Sequence, residues 1–323
     1  MKSNALLNIK DLRVVYLSPR GQVRAVDKVS LDVFKGEVLG IVGESGSGKS
    51  TLAHTILRLL PPTARILGGS IVYNGVDIVK LSEREFRNIR WRRIALVPQA
   101  ALNALNPTMK ILDHFLETAR SHGIRDRRLV IEKASKLLEL LRLEANRVLP
   151  SYPHELSGGM KQRVLIALSM LLDPEILILD EPTTALDVLT QRSILDLLKD
   201  IRKKLNLTML FITHDIAVIA DLADRVAVMY AGKLVELGDV YTVFKNPANP
   251  YTKALMDSIP SLVGRVEDMK PIPGFPPDLV NPPPGCRFSP RCPFAMDICR
   301  REEPPLIEIK PGHYTACWLY VKR

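Results

Sequence analysis

Long hydrophobic runs are missing from this 323-residue chain. No apolar run approaches the ~18 residues that a membrane-spanning helix needs. Charged residues interrupt the N-terminal segment MKSNALLNIKDLRVV, which excludes a secretory signal. We therefore expect a cytoplasmic chain that does not itself cross a membrane. Apolar residues make up 46% of the sequence and charged residues 25%, so disorder, collagen and coiled coil are excluded as descriptions of the whole chain.

Cysteine is absent from residues 1–285, and proline is concentrated beyond them. The last 38 residues hold all four cysteines, which are Cys286, Cys292, Cys299 and Cys317. Thirteen of the 24 prolines lie between Pro260 and Pro311. This change of composition predicts a boundary near residues 255–260, and we assign a domain to 1–255 and a C-terminal extension to 256–323.

The net charge is +10, from 45 basic and 35 acidic residues. A basic chain can serve an acidic partner such as nucleic acid, anionic lipid or nucleotide, or it can simply present a solvated basic surface. The densest basic stretches, 84–93, 125–128 and 199–204, are short. Charge alone therefore does not predict a nucleic-acid-binding protein.

Short, continuous apolar runs predict an α/β fold. Residues 38–42, 176–180 and 209–213 have the composition of strands buried on both faces, as in a parallel sheet covered by helices. The segment 51–60 has helical spacing and is followed by Pro61 and a second proline. Strand, glycine-rich turn and helix thus follow one another from residue 38.

Other segments surround this α/β core. Residues 1–35 and 67–80 alternate between polar and apolar and carry turn signals, which predicts antiparallel strands. Residues 226–237 predict a hairpin with Ala-Gly at its turn. Between about 100 and 172 the apolar spacing is mostly helical, which predicts an inserted helical subdomain.

The glycine-rich turn matches G-x-x-x-x-G-K-[ST] in full. Glycines let the backbone point its N–H groups at phosphate oxygens, and the helix that starts near Lys49 adds its positive dipole end. Lys49 would reach the β- and γ-phosphates, and the Ser50 hydroxyl would bind Mg²⁺. The predicted ATP-binding segment consists of Gly43, Glu44, Ser45, Gly46, Ser47, Gly48, Lys49, Ser50 and Thr51.

A phosphate loop of this kind works with an acidic metal site. The predicted strand 176–180 ends in Asp180, and Glu181 follows directly. Acids at the carboxyl end of a parallel strand lie where ligands bind in such sheets. Asp180 would hold Mg²⁺, and Glu181 would polarise the attacking water as general base.

The sequence LSGGM begins at Leu156 and precedes a helical stretch. Ser157 fits an N-cap, and Gly158 and Gly159 would expose backbone N–H groups at the helix start, forming a second anion site. The chain resembles the nucleotide-binding subunits of ATP-binding cassette (ABC) transporters in six features. These are the phosphate loop, LSGGM, ILILDEP, TALD, Gln99 and His214. The resemblance covers about residues 5–255 with every motif in order, and it implies a P-loop NTPase (RecA-like) core.

The resemblance implies an ATPase in which two cassettes pair head to tail around two ATP molecules. Ser157, Gly158 and Gly159 would contact the γ-phosphate held by the partner cassette. Tyr16 would stack on adenine, and Asp187 would connect the two sites.

The resemblance also gives roles to two residues near the metal and the γ-phosphate. Gln99 would bind Mg²⁺ and sense the attacking water, where the cassette meets the membrane subunit. His214 would contact the γ-phosphate, alongside the catalytic Glu181 and Lys49. The sequence departs from the family at Met160, where glutamine is usual, and we expect little loss of activity because the contact there is mainly backbone.

Three segments are similar to importer ATPases of the oligopeptide, dipeptide and nickel class. They are SYPHELSGGMKQR, NALNP and the cysteine-bearing tail. Some importers of this branch carry oligosaccharides, and nothing in an ATPase subunit reads the cargo. The implied partners are a second cassette, more often a paralogue, two membrane subunits and an extracellular binding protein, with the chain on the cytoplasmic face of the membrane. The alternative is a soluble ABC ATPase that acts on nucleic acid or ribosomes. We favour the importer and expect no nucleic-acid partner.

The cysteine spacing is C-x5-C-x6-C-x17-C. Structural zinc sites favour C-x2–4-C pairs, and disulfides are uncommon in cytoplasmic proteins. Four clustered cysteines in a proline-rich segment suit a [4Fe–4S] cluster. The resemblance to this importer branch also implies such a cluster, because some members of the branch carry one. Zinc, disulfides and free thiols remain alternatives.

Overall fold

The computed structural model describes residues 5–99, 104–184, 186–258 and 271–321. Pro260, Asn103 of the NALNP segment and Ala185 of the TALD segment lie outside the described residues. Within the described ranges, no helix is both long enough and apolar enough to cross a membrane.

Strands and helices alternate along much of the chain, as the α/β prediction requires. The strands are β1 (Ala5–Ser18), β2 (Gly21–Phe34), β3 (Val38–Val42), β4 (Ala64–Tyr73), β5 (Val76–Asp77), β6 (Ile94–Val97), β7 (Ile176–Asp180), β8 (Thr208–Ile212), β9 (Arg225–Tyr230), β10 (Lys233–Asp239), β11 (Leu306–Lys310) and β12 (His313–Ala316). The α-helices are α1 (Lys49–Ile56), α2 (Glu83–Phe86), α3 (Ile111–Ser121), α4 (Arg127–Leu140), α5 (Ala145–Val148), α6 (Gly158–Ser169), α7 (Val188–Leu205), α8 (Ile216–Leu222), α9 (Val240–Lys245), α10 (Pro250–Asp257) and α11 (Asp297–Arg301). A short 3-10 helix covers Pro153–Glu155.

The chain divides into two compact units, Met1–Lys80 with Phe211–Arg323, and Leu81–Leu210. The first unit contains an antiparallel sheet in the strand order β2-β1-β4-β5. Ile9 of β1 pairs with Leu31 of β2 and with Ile71 of β4. These pairings confirm the antiparallel strands predicted at the N-terminus, where alternate residues are buried because one face of the sheet lies on the core.

A second sheet of the same unit has the strand order β11-β12-β10-β9-β3. β9 and β10 form the predicted hairpin, and β3 runs parallel to β9. β12 pairs with β10 through Glu236 and Thr315, so the C-terminal extension adds strands to this sheet. The boundary near residue 255 stays a prediction, and residues on both sides of it belong to this unit.

The second unit contains the parallel strands β6 and β7, in which Ile94 pairs with Ile176 and Val97 with Leu179. Helices α3, α4, α5 and α6 pack on one another, and α6 also contacts β6 and α7. These helices confirm that the described part of this insertion, from residue 104 onward, is mostly helical, whereas the bounds of about 100 and 172 stay a prediction. All residues of β7 are buried, as its continuous apolar run predicts.

Helix α1 is shorter than its sequence pattern suggests. Helical spacing extends over 51–60, but α1 ends at Ile56. Arg58 takes a left-handed conformation with φ 53°, and the Leu59 N–H donates to the His54 carbonyl at 2.8 Å. This reverse turn closes the helix before Pro61 is reached, because a left-handed residue redirects the backbone and satisfies the last carbonyls.

Candidate active site

The glycine-rich loop of the first unit lies between β3, which ends at Val42, and α1, which begins at Lys49. Gly48 is the N-cap of α1 and has φ 100°, a conformation that side-chain-bearing residues rarely adopt. A Cβ atom at Gly48 would lie 2.1 Å from the Ala25 carbonyl oxygen of β2. The loop therefore needs glycine here because its backbone passes directly against a neighbouring strand.

Lys49 is buried, and its ammonium lies within the loop. Its Nζ atom donates to the carbonyl oxygens of Gly43 at 2.8 Å and Glu44 at 2.9 Å. These two bonds fix the ammonium at the N-terminus of α1, where the positive end of the helix dipole also lies. Ser50, the next residue, is half-buried. A cation, a helix start and a hydroxyl group thus lie together, as phosphate and magnesium binding require.

Tyr16 of β1 is half-exposed, and its hydroxyl lies 3.2 Å from the Thr51 hydroxyl of α1. This contact places the tyrosine beside the helix that follows the phosphate loop. Stacking on adenine stays a prediction, supported by this position and by the exposed part of the ring.

His214 is exposed and follows β8, which ends at Ile212. The neighbouring residues are held firmly. The Thr213 N–H donates to the Ile41 carbonyl of β3 at 3.3 Å, and the Asp215 carboxylate caps α8 by accepting from the N–H groups of Ala217 and Val218. The backbone at His214 is thereby fixed while its ring remains exposed, which suits a residue that contacts a ligand.

In the second unit, the ends of β6 and β7 bring together the residues of the predicted hydrolytic centre. The Gln99 Nε2 atom donates to Glu181 Oε2 at 3.0 Å, and the Thr184 hydroxyl donates to the same oxygen at 3.0 Å. Asp180, the last residue of β7, is fully buried. Glu181 has φ 47°, an uncommon conformation for a residue with a side chain and one that occurs at functional sites.

The LSGGM segment begins α6 as predicted. The Ser157 hydroxyl accepts from the Met160 N–H at 3.3 Å, which confirms Ser157 as the N-cap. A Cβ atom at Gly159 would lie 2.4 Å from the Thr190 methyl group of α7. The Thr190 hydroxyl and N–H both donate to the Asp187 carboxylate.

Asp187 therefore caps α7 and is joined to the start of α6 through Thr190. Hydrogen bonds from the Thr190 side chain and backbone hold the pKa of Asp187 below its ordinary value, so this carboxylate is ionised at neutral pH. The sequence motifs indicate Asp187 and Gly159 separately, whereas Thr190, which joins them, belongs to no motif.

Sequence reasoning also missed two residues that contact the phosphate loop from distant parts of the chain. The Tyr251 hydroxyl of α10 accepts from the Glu44 N–H at 2.9 Å. The Arg291 guanidinium donates to both carboxylate oxygens of Glu44, at 2.8 and 3.0 Å. No local pattern reveals such contacts, because Arg291 is 247 residues away from Glu44 along the chain.

The four cysteines carry free thiols and line one small cavity, together with Phe288 and Trp318 among others. Burial raises the pKa of Cys286 to about 11 and raises the pKa values of Cys292 and Cys317. Among the described residues, no group of three or more His, Cys, Asp or Glu side chains is arranged to hold a metal ion. The donor set is thus that of a Cys₄ site, but its present geometry is not that of a bound ion.

Family comparisons match both parts of the chain. A family model described as "ABC transporter" matches residues 26–184, and one described as "Oligopeptide/dipeptide transporter, C-terminal region" matches residues 235–299. The second match includes three of the four cysteines, Cys286, Cys292 and Cys299.

Whole-length relatives carry related names. The dipeptide transport ATP-binding protein DppD of Caldanaerobacter subterraneus subsp. tengcongensis is 53% identical over 98% of this chain and 97% of its own length. The oligopeptide transport ATP-binding protein OppD of Escherichia coli is 43% identical over 98% of this chain and 94% of its own length.

Solved structures are also similar to this chain. A dimeric bacterial ABC transporter cassette matches with a TM-score of 0.63 and 29% identity, covering 72% of this chain and 98% of the cassette. The same cassette in a dimeric post-hydrolysis state, bound to ADP and Pi, matches with a TM-score of 0.62 and 28% identity over the same shares. This chain belongs to the family of ATP-binding subunits of dipeptide and oligopeptide ABC transporters, and it is an ATPase.

Proposed function

We propose that this protein is the ATP-hydrolysing motor subunit of an importer of dipeptides or oligopeptides. It would act at the cytoplasmic face of the membrane that holds the importer. The names of its whole-length relatives support a peptide cargo over an oligosaccharide. The same similarity supports an importer over an ATPase that acts on nucleic acid or ribosomes.

The phosphate loop would hold the triphosphate through its backbone N–H groups, with Lys49 on the β- and γ-phosphates. Ser50, Asp180 and Gln99 are the residues proposed to hold Mg²⁺, which when bound neutralises charge on the phosphate oxygens. Glu181 would orient water and accept its proton as the water oxygen attacks the γ-phosphorus. The bond to the bridging oxygen then breaks and ADP leaves, with His214 contacting the departing phosphate.

The observation that carries this proposal is the arrangement around Glu181. Gln99 and Thr184 both donate to one carboxylate oxygen, which fixes the orientation of the side chain. A carboxylate held in one orientation suits a general base, which must meet its water molecule in a defined geometry.

The start of α6 supports a paired arrangement of two cassettes. Ser157, Gly158 and Gly159 would bind the γ-phosphate held by a partner cassette, and Thr190 would relay the position of that helix start to Asp187. The partner is proposed to be a paralogue. Two membrane subunits and an extracellular binding protein would complete the importer.

Glu181→Gln tests the hydrolytic role. We expect the variant to bind ATP with near-normal affinity while hydrolysis falls by about 100-fold or more, because only the general base is lost. Glu132→Gln is the matched control, since Glu132 is an exposed glutamate of α4 that pairs with Lys136. Near-normal turnover by Glu181→Gln, measured as phosphate release, would contradict the proposed mechanism.

Co-purification tests the partners. The chain, expressed with a tag in its natural host and extracted with mild detergent, should retain a second cassette and two membrane proteins. Recovery of nucleic acid or ribosomes in their place would support the soluble-ATPase alternative.

The four cysteines are proposed to hold an iron–sulfur cluster of the Cys₄ type. Their convergence on one small cavity supports this proposal. A cluster would act as a structural staple for the proline-rich extension. Anaerobic purification should yield brown protein with broad absorbance at about 400 nm, whereas colourless protein with stoichiometric zinc would refute the cluster.

A further inference from the structure

Two arginines lie between the first and second cysteines of the extension, and both are buried. Residues 286–292, CRFSPRC, are here called the 286–292 segment. The side chains of Arg287 and Arg291 are each 5% exposed. A buried guanidinium requires partners that satisfy its charge and its donors. The partners of both arginines lie in or beside the phosphate loop.

Arg291 binds the side chain of Glu44, the second residue of the loop. Its guanidinium forms a bidentate pair with the Glu44 carboxylate, and its Nε atom donates to the Pro273 carbonyl at 2.7 Å. The hydrogen bonds to Glu44 raise the pKa of Arg291 above its ordinary value. Bidentate, charge-assisted pairs fix orientation as well as distance, so Arg291 defines where the Glu44 side chain lies.

Glu44 is held at its main chain as well. Its N–H donates to the Tyr251 hydroxyl at 2.9 Å, and its carbonyl oxygen accepts from Lys49 Nζ at 2.9 Å. A continuous chain of contacts therefore runs from Arg291 through Glu44 to the Lys49 ammonium. Tyr251 is itself fixed by ring contacts with Tyr230 and Phe288, at centroid distances of 4.4 and 5.4 Å.

Arg287 supports the other side of the loop. It donates to the Ala231 carbonyl oxygen and to the Asp27 carboxylate. Ala231 belongs to the β9–β10 turn, in which the Gly232 N–H donates to the Ser47 carbonyl of the loop at 2.9 Å. The 286–292 segment thus contacts the phosphate loop directly through Glu44 and indirectly through this turn.

We propose that Arg291 is a positioning residue for ATP binding, and that the 286–292 segment sets the shape of the phosphate loop. A loop that binds phosphate through backbone N–H groups gains affinity when its backbone is already in the bound shape. The proposal rests on the proposed function, in which this loop holds the triphosphate. It gives the C-terminal extension a direct part in the ATPase cycle.

Arg291→Ala in the full chain is the principal test, with affinity for MgATP measured by isothermal titration calorimetry. We expect affinity to fall about tenfold, the loss of one charge-assisted interaction. KM for ATP should rise by a similar factor while kcat stays within about twofold, because Arg291 acts on binding rather than on the reacting atoms. Arg20→Ala is the control, since Arg20 pairs with Asp278 on the surface and its side chain is 74% exposed.

Two milder variants keep the test decisive if Arg291→Ala folds poorly. Tyr251→Phe removes only the acceptor of the Glu44 N–H, and we expect an affinity loss of about threefold. Arg291→Lys keeps the positive charge but cannot form the bidentate pair with Glu44. Its affinity for MgATP should lie between those of Arg291→Ala and the unaltered protein.

A double-mutant cycle separates positioning from general destabilisation. The double variant Glu44→Gln with Arg291→Ala should bind MgATP no more weakly than the worse single variant, because both changes break one contact. Unaltered affinity in Arg291→Ala, Arg291→Lys and Tyr251→Phe would overturn the proposal, and so would fully additive losses in the double variant. Lys49→Ala tests ATP binding by the loop separately from the positioning role of Arg291. Retained ATP affinity in that variant would refute the proposed function of the loop itself.

Discussion

Gly48→Ala should destabilise the protein far more than Gly46→Ala, although both glycines belong to the same loop and have positive φ values of 100° and 75°. A Cβ atom at Gly46 meets nothing within 4 Å, so alanine there costs about 1–2 kcal/mol of left-handed strain. At Gly48 the Cβ atom would lie 2.1 Å from the Ala25 carbonyl oxygen. Relieving such an overlap costs about 1–3 kcal/mol more, giving a total of about 2–5 kcal/mol.

Thermal unfolding followed by circular dichroism, without nucleotide, measures this difference. At about 2–4 °C per kcal/mol, the two variants should be separated by several degrees, with Gly48→Ala the lower. Nucleotide is left out because a bound phosphate would contact both positions. Equal melting temperatures for the two variants would refute the reasoning, since they would show that the close approach to β2 places no constraint on the loop.

Two further predictions concern other contacts. Gly159→Ala should lower stability and ATPase activity, because its Cβ would lie 2.4 Å from the Thr190 methyl group. Adding Thr190→Ser removes that methyl group and should restore the melting temperature but not ATPase activity; restored activity would show that Gly159 serves packing alone. Burial raises the pKa of Asp27, but Lys233 and Arg287 outweigh it, and the net pKa lies below the ordinary value of 3.8. The stability this carboxylate contributes is therefore present above pH 3.8 and is lost as the pH falls through its lower folded-state pKa. Asp27→Asn should remove that part of the acid transition in pH-dependent unfolding, and an unchanged transition would contradict the assignment.

Sequence patterns predicted the regular elements well where one local rule governs them. The strands β3 and β7 match the predicted residues 38–42 and 176–180, because continuous apolar runs between turn signals have few other structures available. The predicted strand 209–213 is found one residue earlier, as β8 (Thr208–Ile212). Helix α1 ends four residues before its predicted end, because the left-handed Arg58 closes it before the prolines do.

The sequence by itself determined the chemical parts of this protein: the glycine-rich loop with Lys49, the acids that end β7, and the capped start of α6. Each of these depends on residues that are neighbours along the chain, so spacing alone reveals it. Only the tertiary structure decided that Arg291 pairs with Glu44, and that Thr190 packs against Gly159 while donating to Asp187. The same is true of β12, which extends the sheet through β10. Such contacts join residues far apart in sequence, and they form because buried charges and strand edges must find partners wherever the fold brings them.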